Sequence, residues 1–144
     1  MAMTHTSFEA STQAEGRQNR LTVVLAVVQT AQDEEALLPR GIHEVVRFLV
    51  VSAHSGPDGS AVIDLRTSET LSVSSAPACY AYIEAVRGLL QSHTLERGAA
   101  APATNLVVSS ADQAEARERT LQYLGSPGGG FSRGATYDLR EDVG

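Results

Sequence analysis

The chain has 144 residues, 42% of them hydrophobic, a formal net charge of −6 and one cysteine, which fits one domain with a modest core and excludes an internal disulfide. All 11 basic residues are arginine, scattered from Arg17 to Arg140 without a basic stripe or interleaved aromatics, so binding to nucleic acid is disfavoured, because phosphate neutralisation supplies most of that affinity. The absence of lysine beside abundant alanine and arginine points to a GC-rich bacterial genome.

Residues 1–20 are polar and lack periodicity, and they read as a disordered leader. They lack the charged and apolar regions of a signal peptide. The longest apolar run, VVLAVV, is far too short to span a bilayer, so a cytoplasmic protein is expected. His43, His54 and His93 lie in or near predicted helices, His5 lies in the leader, and no Cys/His spacing fits a metal site.

Leu21–Gln29 is apolar on both faces and valine-rich, which predicts a strand buried on both sides. Asp33, Glu34 and Glu35 read as a solvated helix start, and Pro39 as a first-turn residue or the break of a short helix. From Gly41 to Ala53 the apolar positions Ile42, Val45, Val46, Leu49, Val50 and Ala53 follow helical spacing. Gly56–Ser60 is a turn cluster, and Ser60–Ser68 reads as a second strand. A helix follows from about Pro77 to Glu96. It buries Ile83, Val86, Leu89 and Leu90 and ends near Gly98. Thr104–Ser110 is a third strand. Ser110 and Gln113 fit a capping box that opens a helix through Leu121 and Leu124. GSPGGG (Gly125–Gly130) is a glycine-rich loop, and Gly134–Leu139 a last strand. Strands alternating with helices predict a parallel sheet.

The usual chemical motifs are missing. GSPGGGFSRG has no lysine to reach phosphates, precedes a strand rather than a helix, and reads as a structural loop. GxGxxG and GxSxG are absent.

The helix from Pro77 carries Tyr80 and, one turn on, Glu84. Gly59–Leu90, GSAVIDLRTSETLSVSSAPACYAYIEAVRGLL, resembles the centre of short-chain dehydrogenases/reductases. That family has a strand G-x-I-V-N-I-S-S followed by Tyr-x-x-x-Lys at the start of a long helix. DLRT stands in the N-I-S-S place, and Thr67 precedes Tyr80 by the family's 13-residue serine-to-tyrosine interval. LTVVLAVV, TNLVVSS and ERTLQYLGSPGGGFSRGATYDL are similar to the family's fourth strand, sixth strand and late helix–strand segment. The resemblance covers about Leu21 to Leu139.

The resemblance implies a truncated Rossmann-like α/β domain over residues 21–140, with residues 141–144 as a tail. It would have a parallel sheet of about four strands with flanking helices and lack the N-terminal βαβαβ nucleotide-binding half. NAD(P) is therefore not expected for the chain alone. It places Thr67, Tyr80 and Glu84 at degenerate catalytic positions. Glu84 replaces the lysine, and a carboxylate beside a phenol disfavours phenolate. VVQT replaces Asn-Asn-Ala-Gly. The alternative for Tyr80 is a packed helix-start aromatic with its hydroxyl hydrogen-bonded.

Without strands beyond it, Leu21–Gln29 would be an all-apolar edge, an aggregation template unless the leader, a second copy or another protein covers it. The two long helices correspond to those the family uses to form dimers, which makes Val45, Leu49, Val86 and Leu90 candidate interface residues. The expected function is that of a non-catalytic reductase-like subunit, a pseudoenzyme assembling with a complete reductase or with itself. The alternative is a cofactor-independent enzyme or binder of a small carbonyl ligand, of cyclase, isomerase or dehydratase type. There Thr67 and Tyr80 would orient the ligand, and Glu84 or Asp64 would act as base.

Overall fold

The structure is a computed structural model that describes residues 8–15, 18–25, 31–67 and 77–140. Its elements are β1 (Phe8–Glu15), β2 (Gln18–Leu25), α1 (Ala31–Ala53), β3 (Ser60–Thr67), α2 (Pro77–Arg97), β4 (Ala103–Ser110), α3 (Ala114–Leu124) and β5 (Thr136–Asp138). The strands form one sheet in the order β1-β2-β3-β4-β5. β2 to β5 are parallel, so the expected α/β architecture with four parallel strands and flanking helices is present.

The leader is where the sequence reading needs correction. Phe8–Glu15 forms β1, which runs antiparallel to β2 with Glu15 opposite Gln18 and Phe8 opposite Leu25. The physical reason is the apolar strand beside it. An open β2 edge would leave a row of backbone groups and core side chains against water, and β1 covers it. A period of two was present in FEASTQAE. Phe8, Ala10 and Thr12 fall in register with Leu25, Val23 and Leu21, while the intervening positions are Glu, Ser, Gln and Glu.

One face of the sheet makes the larger core. Leu21, Val23 and Leu25 of β2, Ala61, Ile63 and Leu65 of β3, and Leu106 and Val108 of β4 pack against α1 and α2. On the opposite face Val62 and Val107 pack under Leu121 and Leu124 of α3. The chain steps across the sheet in one direction from β2 to β5, and crossovers of one hand keep their helices on one face. With α1 and α2 on one face and α3 on the other, the β4–α3–β5 connection has the opposite hand to the two before it.

This arrangement also corrects the expectation that the first parallel strand is buried on both faces. α3 covers β4 and β3 and reaches the start of β2, where Gln18 Nε2 donates to the Leu121 carbonyl at 3.2 Å and Arg20 is buried, but it leaves the later part of β2 open. Val24 is 36% exposed, and Thr22 is half-buried. Residues 26–30 of the predicted strand lie outside the described residues. Pro39 lies inside α1 rather than at its first turn, and the helix beyond it is anchored by Val45, Phe48 and Leu49.

Other expectations are met closely. α2 ends at Gly98, whose φ of 54° is the left-handed conformation glycine favours. The Ser110–Gln113 capping box is formed, with the Ser110 amide donating to Gln113 Oε1 at 2.9 Å. It opens a short 3₁₀ turn, Ala111–Gln113, from which α3 continues.

Tyr82 ties α2 to α1. Its ring is wholly buried, and its hydroxyl donates to the Gly41 carbonyl at 3.2 Å. Burial, reinforced by the Glu44 carboxylate, pushes this phenol well above its ordinary range, so it stays neutral and acts as a donor. Tyr82→Phe is expected to lower stability by about 1 kcal/mol, the usual worth of one buried hydrogen bond, measurable by urea denaturation. Gly41→Ala is expected to cost more, because a Cβ there would lie 2.5 Å from the Tyr82 ring.

Candidate functional site

Thr67 is the last residue of β3. It is buried, and its hydroxyl donates to the Ser109 carbonyl of β4 at 3.4 Å. Tyr80 sits in the first turn of α2 and is 43% exposed. Glu84, one turn further, is exposed and pairs with Arg87 at 3.2 Å. Thr67 and Tyr80 thus stand at the carboxyl end of the sheet, where open α/β sheets bind ligands. The threonine hydroxyl is turned into the sheet, and the tyrosine is turned toward solvent. The packed, hydrogen-bonded aromatic considered for Tyr80 is found two residues on, at Tyr82. VVQT and the segment 68–76 lie outside the described residues.

Asp64 does not join these groups. Side chains alternate along a strand, so Asp64 faces the α3 side, with Val62, while Ile63 and Leu65 face α1 and α2. The reading in which Asp64 serves as base beside Thr67 and Tyr80 is therefore corrected by the pleat of β3.

Asp64 instead centres a charged cluster on the second face. Its carboxylate is wholly buried. Its Oδ2 accepts from Arg66 Nε at 3.1 Å and Nη2 at 2.7 Å. Its Oδ1 is buried without a hydrogen-bond partner among the described residues. Arg117 of α3 is buried above the same face and donates from Nη1 to Ser109 Oγ at 3.0 Å and to the Ser110 carbonyl at 3.3 Å. Burial and the neighbouring Arg66 pull the Arg117 guanidinium below its ordinary range, opposed by Asp64 and Glu118. Arg20 of β2 is buried on this face too, donating to Gln18 Oε1 at 3.1 Å. Sequence reasoning missed the cluster. Its signal was Asp64-x-Arg66, opposite charges two apart in an apolar strand and hence on one face.

The proposed interface residues are also corrected. Val45, Leu49, Val86 and Leu90 are all buried, between 0% and 5% exposed, against the sheet. An apolar helix face looks the same in sequence whether it covers its own sheet or a partner, and here the sheet claims it first. Among the described residues of these two helices, the aliphatic side chains left outside include Val46, Val50 and Val51 of α1 and Leu95 of α2.

A groove of about 430 Å³ runs between α1 and the β1–β2 hairpin, lined by Thr12, Asn19, Glu44, Arg47, Phe48 and Val51. A smaller cavity of about 300 Å³ lies beside the glycine-rich loop, against Ser60, Gly125 and Pro127. It is at the amino end of β3, away from the end that α/β sheets use for ligands. Among the described residues no helix is long and apolar enough to cross a membrane. Compared with known proteins, the chain matches no family model, no curated protein and no solved structure.

Proposed function

We propose that this chain is a non-catalytic, reductase-like subunit of the cytoplasm, acting as a structural or regulatory partner of a complete short-chain reductase or of a second copy of itself. The observation that carries this reading is the state of the three groups at the degenerate catalytic positions. Glu84 gives its carboxylate to Arg87, Thr67 gives its hydroxyl to a strand carbonyl, and Tyr80 faces water with no cation from its own helix turn. Proton transfer in such a site needs a phenol held near its working state by a positive neighbour, and the residue one turn on from Tyr80 is an acid already paired with Arg87.

Two measurements test it. Calorimetric titration of the full chain with NADH and NADPH is expected to show no binding in the micromolar range. Tyr80→Phe is expected to leave the thermal midpoint and the assembly state unchanged, because the side chain is exposed. Reduction of a carbonyl substrate by the chain alone, lost in Tyr80→Phe, would overturn the proposal. The native mass of the complex isolated from its source then separates the two kinds of partner, since a longer polypeptide in fixed ratio identifies a complete reductase.

A further inference from the structure

We infer that the outer edge of β1, together with the adjoining side of α1, is a self-association surface whose occupant is a second copy of this chain, paired β1 to β1 about a two-fold axis. The inference deepens the assembly half of the proposed function and commits it to one surface.

The two edges of the sheet differ. β5 has three residues, is followed by a turn and carries the Asp138–Arg140 pair at its end. Short, charged edges of that kind resist pairing. β1 has eight residues without proline or lysine, and among the described residues nothing pairs with its outer side. Its unpaired amides and carbonyls offer a ladder to another strand.

The sequence of β1 selects the partner and the register. Opposed residues in an antiparallel pair share a face. An axis perpendicular to the sheet, which keeps both α1 helices on one side, therefore passes through a residue rather than between two. Centring it on Thr12 would set Glu9 against Glu15 twice, which is unfavourable. Centring it on Ser11 sets Glu9 against Gln13, Ala10 against Thr12 and Phe8 against Ala14. No like charges then meet, and nearly the whole strand pairs. A shift to Ala10 also avoids the clash but pairs less of the strand.

The same axis sets the two α1 helices side by side, because α1 overhangs β1 at the groove shared by Thr12, Glu44, Arg47 and Val51. Val51 is 63% exposed there. Glu44 and Arg47 stand about one turn apart, so an antiparallel copy brings each carboxylate toward the guanidinium of the other chain. A two-fold contact of this type is closed: it uses both β1 edges and leaves only the short β5 edges outside.

The test is sedimentation velocity of the full chain over a concentration series, with charge variants in β1. The expected species has about twice the 15.2 kDa mass of one chain. Gln13→Glu sets Glu9 against an acid twice per dimer and is expected to weaken dimerisation about tenfold. β1 is held to β2 along all eight of its residues, and an unchanged circular dichroism spectrum is expected. Adding Glu9→Arg restores opposite charges and is expected to restore the dimer. A chain that stays monomeric, that forms larger open assemblies, or whose dimer ignores Gln13→Glu overturns the inference. A monomer that also binds no dinucleotide removes this surface and leaves the non-catalytic reading standing. A dimer that reduces carbonyls removes that reading and leaves the surface.

Discussion

Arg66→Met is expected to destabilise the protein by about 3 kcal/mol, the usual consequence of removing one partner from a buried ion pair. Asp64 is wholly buried, and both hydrogen bonds to its Oδ2 come from Arg66. Without them the carboxylate stands in the middle of β3 with neither oxygen satisfied by the contacts it has now, and the field of Arg117 across the face offsets its charge in part. The converse change, Asp64→Leu, is expected to be milder, because the Arg66 side chain is already 31% exposed and its guanidinium can turn to water. Combining Asp64→Leu with Arg66→Met is expected to bring stability back to within about 1 kcal/mol of the parent, since an apolar pair of similar volume avoids the desolvation of two ions. Urea denaturation of the three variants checks the set. If the double variant remains as unstable as Arg66→Met alone, the pair is bound into a wider network through Arg117 and Ser109 rather than acting by itself.

The elements were legible where local and tertiary preferences agree. β3, α2, β4, the capping box at Ser110 and the end of α2 at Gly98 could be placed from pattern, because apolar period and punctuation coincide there. β1 was not legible as a strand because Ser, Thr, Gln and Glu dilute its period of two, and its stability comes from β2 rather than from its own composition. The outer face of β2 was misread for a related reason. Alternation shows which residues could be buried, but only the placement of α3 over β3 and β4 decides that Val24 is left partly in water. The apolar stripe of α1 illustrates the same limit. It contains Val45 and Leu49, which the sheet buries, and Val46 and Val50, which it does not. Nothing in the spacing separates the two pairs. The candidate site positions were named from a resemblance, which carries no information on their contacts. Thr67, Tyr80 and Glu84 were named from their intervals, but the hydrogen bonds of Thr67 and Glu84 depend on Ser109 and Arg87, and Asp64 was offered as a base without the pleat, which turns it to the opposite face from Thr67.

Gly129→Ala is expected to be the most damaging of the small substitutions in the glycine-rich loop, lowering stability by about 3 kcal/mol, at the upper end for overpacking. The loop is a 3₁₀ turn, Pro127–Phe131, folded back on the end of α3. The Ser126 hydroxyl donates to the Tyr123 carbonyl at 2.6 Å, and the Gly129 amide donates to the Ser126 carbonyl at 3.0 Å. This brings Gly129 so near the helix that a Cβ would collide with the Tyr123 carbonyl oxygen and stand 2.6 Å from Leu124 Cα. The obstacle is backbone, which cannot swing aside as a side chain can. At Gly130 a Cβ would meet nothing within 4 Å, so Gly130→Ala is expected to be neutral or slightly stabilising through the unfolded chain. A loop that cradled a phosphate would depend instead on amide access along the whole glycine run, and its thermal midpoint would rise with added inorganic phosphate. The geometry of close packing separates the two glycines sharply in stability and leaves both variants indifferent to phosphate. Thermal melts of the two variants with and without phosphate measure both effects. A loss confined to Gly129→Ala makes the glycines of this loop a consequence of helix–turn contact, and a phosphate-dependent rise in the midpoint would require a ligand there instead.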